Sequence, residues 1–168
     1  MSLSMYDASS KVFQHSLGQL AFVLDKAQAD AVARKIDPTV LVQARLAPDM
    51  LPLAKQVQIA CDTAKLAVAR LTGETAPPFE DNETTFEQLA ERIAKTLAFI
   101  TSVPASAFQG SEERAVTVGS GERERQFNGQ DYLLHFALPN LFFHITTTYA
   151  ILRHNGAPIG KNDFLGKV

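Results

Sequence analysis

Asn140, His144, Thr147 and Thr148 stand 4, 3 and 1 residues apart in the segment Leu138-Pro-Asn-Leu-Phe-Phe-His-Ile-Thr-Thr-Thr-Tyr149. On an α-helix that spacing sets all four on one side. A histidine among amides and hydroxyls has two uses. It can hold a small molecule or a metal in a polar pocket between helices, where helical folds place such sites. Alternatively, it is a core histidine whose ring is hydrogen-bonded to its neighbours, as buried polar groups generally are. The second outcome is the commoner one.

A metal needs several ligands, and the other histidines do not supply them by spacing. His135, His144 and His154 are 9 and 10 residues apart. At about 100° per residue His144 points nearly opposite His135, and the three span roughly 28 Å of helix. His15 lies far away in the chain. A catalytic zinc site usually has three protein ligands, so His144 with Asp49, Gln56 or His15 makes an incomplete set. Cys61 sits in an apolar stretch and reads as a small core hydrophobe, with no base nearby in sequence. Arg153 and His154 fall in a last helical turn, where cations complement the dipole. The run Gly156-Ala-Pro-Ile-Gly-Lys161 is too short for a phosphate loop and ends in Asn162. Glu80, Asp81, Glu83, Glu87 and Glu91 lack the glycine and spacing of a calcium loop and read as a mostly solvated face.

Four amphipathic segments must position these groups. Phe13, Leu17, Leu20, Leu24 and Ala27 mark one helical face, predicting a first helix over about 6–29. A short helical turn is expected near Pro38. The second long helix opens at Asp49 as N-cap, with Pro52 in its first turn. Its face is Leu53, Val57, Ala60, Ala64, Ala67 and Leu71, and it ends at Gly73. Gln56 borders that face, and the alanines imply a close helical neighbour. After an acidic, Pro-rich loop from Glu74 to Asn82, Thr84 and Glu87 read as a capping box. The third helix then carries Phe86, Leu89, Ile93, Leu97 and Ile100 and stops at Val103-Pro104. Residues 114–118 and 122–127 flank Gly119-Ser-Gly121 as a short hairpin that must lean on the helices. The fourth helix starts at Asn128 or Gly129, kinks at Pro139 and stops at Asn155-Gly156. The tail docks through Ile159, Phe164 and Leu165.

The 168 residues are 46% hydrophobic and 20% charged, with net charge −2, enough for one domain over residues 1–168. That balance argues against a nucleic-acid binder or a polybasic membrane-surface protein. No apolar run reaches the ~20 residues of a span, and Met1-Ser-Leu-Ser-Met5 lacks a basic and then apolar leader. One cysteine fits a reducing, cytoplasmic setting.

Three stretches carry a resemblance: Asp49-Met-Leu-Pro-Leu-Ala-Lys-Gln56, Pro78-Phe-Glu-Asp-Asn-Glu83, and Pro139-Asn-Leu-Phe-Phe-His144 through Asn155-Gly156 to Gly160-Lys-Asn-Asp-Phe164. The chain resembles the bacterial family of unknown function numbered nineteen ninety-three, within the DinB-like and YfiT-like superfamily. The resemblance implies an all-α, up-down-down-up four-helix bundle with a small β-hairpin before the last helix, commonly a homodimer. In the wider superfamily a divalent metal is held by one histidine near the start of the second helix and an H-x-x-x-H pair on the fourth. His144 matches the first of that pair, Thr148 stands at the second, and 49–56 contains no histidine. The expectation is a DinB-like protein with a degenerate metal-site pocket around Asp49, Gln56, Asn140, His144 and Thr148, free to take a small-molecule ligand. The alternative is a metal-dependent thiol S-transferase or isomerase-like enzyme using zinc, nickel or iron at His144.

Overall fold

The structure, a computed structural model, describes residues 3–166, so Met1 and Ser2 of the start and Lys167 and Val168 of the tail lie outside it. A π-helical turn, Asp7–Lys11, leads into α1, Val12–Ala33. The expected stripe from Phe13 to Ala27 is buried. The helix outruns the expected end at Ala29 because the chain turns only at Lys35, a left-handed residue (φ 58°). There Ile36 N–H donates to the Ala31 carbonyl at 2.8 Å. Asp37 caps the short α2, Pro38–Val42, by accepting from Thr39 N–H at 2.9 Å.

The start of the next helix differs from expectation. Helix α3 is Leu53–Thr72 with Pro52 at the N-cap, not Asp49. Asp49 lies exposed in a turn closed by Met50 N–H on the Ala47 carbonyl, too far upstream to reach the helix amides. The expected stop holds: Gly73 is left-handed at φ 84°. Helix α4, Phe86–Ser102, has a capping box one residue later than predicted. Thr85 Oγ1 accepts from Gln88 N–H, and Gln88 Oε1 accepts from Thr85 N–H. Either threonine satisfies the pattern by spacing; the one whose side chain meets the third amide is decided by where Phe86 must enter the core.

Strands β1, Ala115–Val118, and β2, Arg125–Asn128, pair antiparallel with Val116 opposite Phe127. The second arm is shorter than expected because Gly121–Arg123 forms a 3-10 turn. The hairpin leans on the helices as predicted. Val116 is buried and the Phe127 ring lies against Tyr132 and Phe136. At the strand end, Gly129 passes so close to Ser111 that a Cβ would sit 1.8 Å from its carbonyl oxygen. The final helical run is α5, Gly129–Tyr132, a π-helical turn over Leu133–Ala137, and α6, Leu138–His154. Pro139 has no N–H for the His135 carbonyl, and its effect emerges as that widened turn directly before it.

The chain is mostly helical with one small sheet among its described residues. Helix α3 packs against α6 and α4, and α1 against α4 and α6. Ala60, Ala64 and Ala67 of α3 are fully buried, which permits the close approach their size suggested. The tail ends in α7, Lys161–Leu165, held on α1 and α6 by a 2.8 Å Lys26–Asp163 ion pair and a Tyr149–Phe164 edge contact. No helix of the described residues is long and apolar enough to cross a membrane.

Candidate functional site

The polar row on α6 meets α3. His144 is 8% exposed, and its Nδ1 lies 2.7 Å from Gln56 Oε1. Gln56 Nε2 donates to the Leu51 carbonyl at 3.0 Å, which orients the amide so that Oε1 faces the histidine. An amide oxygen only accepts, so Nδ1 carries the ring proton and Nε2 keeps the lone pair. Burial pushes the His144 pKa below the usual histidine range, favouring this neutral tautomer. The Phe143 ring stands edge-on to the imidazole at 5.2 Å.

One turn away, Asn140 Nδ2 donates to Thr63 Oγ1 of α3 at 2.9 Å. Gln56 and Thr63 are seven residues apart and thus share a face of α3, a spacing that would have flagged Thr63 as the missed partner. The threonines turn inward on their own helix: Thr148 Oγ1 donates to the His144 carbonyl at 2.9 Å and Thr147 Oγ1 to the Phe143 carbonyl at 2.7 Å. Of the candidate residues, the fold therefore joins His144 with Gln56, stacks Asn140 and Thr148 beside them, and leaves Asp49 exposed on the preceding turn. His15 is elsewhere, its Nε2 on the Leu165 carbonyl at 2.8 Å. Concavities of about 630 Å³ and 370 Å³ have other walls, the first by Tyr6 and Phe108, the second by Phe142 and Leu165.

These donors do not fit the three-histidine metal site that the fold family implies. The ring has one lone pair to offer, Gln56 spends its oxygen on the ring proton, and Thr148 spends its hydroxyl on the backbone. Among the described residues no group of three or more His, Cys, Asp or Glu side chains is placed to hold an ion. Cys61 is fully buried, and burial pushes its thiol up to about 12, so the thiolate needed for nucleophilic or ligand chemistry is scarce at neutral pH.

A second polar cluster, unforeseen from sequence, lies on the opposite side of α3. Arg92 of α4 is 2% exposed. Its Nη1 donates to Glu83 Oε1 at 2.9 Å and to the Glu80 carbonyl at 3.0 Å. Its Nη2 donates to Asp62 Oδ2 at 3.0 Å and lies 2.9 Å from Asp81 Oδ1. Glu83, its side chain 9% exposed, thus departs from the solvated acidic face expected of it, whereas Asp81 stays 44% exposed while it pairs with Arg92 and Lys55. Burial alone would raise the Asp81 pKa, but the hydrogen bond from Lys55 and the Arg92 charge hold it below the usual carboxylate range. The signal available was Asp62 and Lys65 three residues apart on an otherwise buried helix, with an arginine directly before Ile93.

A helical fold with a short hairpin and a polar α3–α6 seam is the class this chain defines. It belongs to the family described as Domain of unknown function (DUF1993), whose model matches residues 5–165. It is similar to a DinB family member protein from Shewanella denitrificans solved by crystallography, at 42% identity and a TM-score of 0.91, covering 98% of this chain and 93% of that one. No curated protein matches it.

Proposed function

We propose that this protein is a DinB-like up-down-down-up four-helix bundle, one domain over residues 1–168, whose α3–α6 seam has exchanged a metal centre for neutral hydrogen bonding. It works by binding, not by metal-dependent thiol transfer. The observation that carries this is the Gln56–His144 pair: the glutamine fixes the ring with Nδ1 protonated and Nε2 as a hydrogen-bond acceptor. Such a seam suits a small neutral ligand that offers a donor to Nε2. The resemblance adds a cytoplasmic homodimer, which sedimentation at micromolar concentration tests.

Elemental analysis of tag-free protein, purified without chelators or nickel resin, tests the central point. The expected content is below about a tenth of an equivalent of transition metal per chain. Near one equivalent, lost in His144→Ala, overturns the proposal and restores thiol transfer as the activity to assay.

A further inference from the structure

We propose that the segment 74–85 between α3 and α4 is a charge-held strap, closed on the α3–α4 groove by Arg92 and opening when that arginine loses its carboxylates. The hydrophobic core takes in no residue from 74 to 85 among those described. Polar and charged contacts hold the strap instead. Asp81 and Glu83 meet Arg92, Lys55 Nζ donates to Asp81 Oδ2 at 3.0 Å, and Gln58 Nε2 donates to Glu83 Oε2 at 2.7 Å. Phe79, its one large apolar side chain, is itself set against cations: Lys65 Nζ is 3.9 Å from the ring centroid and Arg92 Cζ 5.6 Å.

Closure is incomplete in hydrogen-bonding terms. Gln58 Oε1 and Arg92 Nε are buried without a partner among the described residues, which lowers the advantage of the closed form. A cavity of about 340 Å³ already separates strap from helix, walled by Phe79, Glu83, Gln88, Glu91, Arg92 and Lys95. Opening would leave Lys55, Lys65 and Arg92 facing one helical carboxylate, Asp62, with Glu91 and Lys95 paired beside them. The strap's carboxylates therefore hold the position that a negatively charged group from elsewhere would take on that surface.

The test uses the full chain and a glutamate-specific protease at pH 7.5, with cleavage after Glu80 followed by mass spectrometry. Asp81→Asn with Glu83→Gln is expected to speed this cut by roughly tenfold or more, because cleavage tracks the open population. The charge-preserving Glu83→Asp stays near the wild-type rate. Circular dichroism of the double variant should match wild type, since both changes lie outside the core. Equal rates for wild type and double variant, or a Glu83→Asp rate as fast as the double variant, overturn the proposal.

Discussion

Helix α3 carries two polar rows on nearly opposite sides, and they are built on different chemistry. Gln56 and Thr63 face α6, where they meet His144 and Asn140 through bonds between neutral groups. Gln58, Asp62 and Lys65 begin two residues later, about 200° around the helix, and meet Arg92 and the 74–85 segment through charges. A neutral seam costs little to bury once its bonds are made, and it fixes tautomer and register. A buried guanidinium with several carboxylates is costly to desolvate and is held only while every partner remains charged. The first row is suited to presenting a group to a ligand, the second to holding a segment that can let go.

Removing Arg92 should separate the two rows most sharply. Arg92→Met leaves Asp62, Asp81 and Glu83 without their shared cation, and should lower the urea-unfolding free energy by about 3–5 kcal/mol. A loss no greater than that of the seam variants would mean that the charges are only surface pairs. His144→Ala follows, at about 1–3 kcal/mol, because Gln56 Oε1 is left buried without its donor. Asn140→Ala should cost about 0.5–1.5 kcal/mol, with Thr63 losing its partner. Thr148→Val, which deletes a hydroxyl bonded only to its own helix, should cost less than about 1 kcal/mol.

The two rows should also titrate in different windows. His144 has a folded pKa below its unfolded value near 6.5, so the unfolded chain binds more protons there. Its contribution is full above about pH 6.5 and is lost as pH falls toward the lowered folded value. Asp81 is also depressed, so its contribution is full above the ordinary carboxylate pKa near 3.9 and is lost as pH falls through the still lower folded value. Melting temperatures of wild type from pH 7.5 to 3 should show both slopes. His144→Asn should flatten the upper one and leave the lower. If the upper slope persists in that variant, the seam is not its source.

The helices were readable because their determinants are local. The stripes from Phe13 to Ala27, from Leu53 to Leu71 and from Phe86 to Ile100 recur at helical spacing, and Gly73 and Asn155-Gly156 stop helices as their backbone freedom suggests. The misplacements were also local, a shift of one residue at Thr85 and of three at Pro52, since caps depend on which side chain meets a free amide in space. The polar row at Asn140, His144 and Thr148 was visible as a row, but its partners were only half legible: Gln56 by its place beside the α3 stripe, Thr63 only through its seven-residue spacing from Gln56.

Composition and periodicity by themselves determined a helical chain with a histidine on its last long helix and too few histidines at ligand spacing. Pairing across α3 was a matter for the tertiary structure. It alone joined His144 to Gln56 and freed Nε2. It also drew Arg92, Asp62, Asp81 and Glu83 from three segments into one cluster, where sequence had shown only an acidic loop. A hydrogen bond or ion pair between residues 30 or 88 positions apart leaves no periodic trace in either strand of sequence, because its geometry is set by how the helices pack against one another.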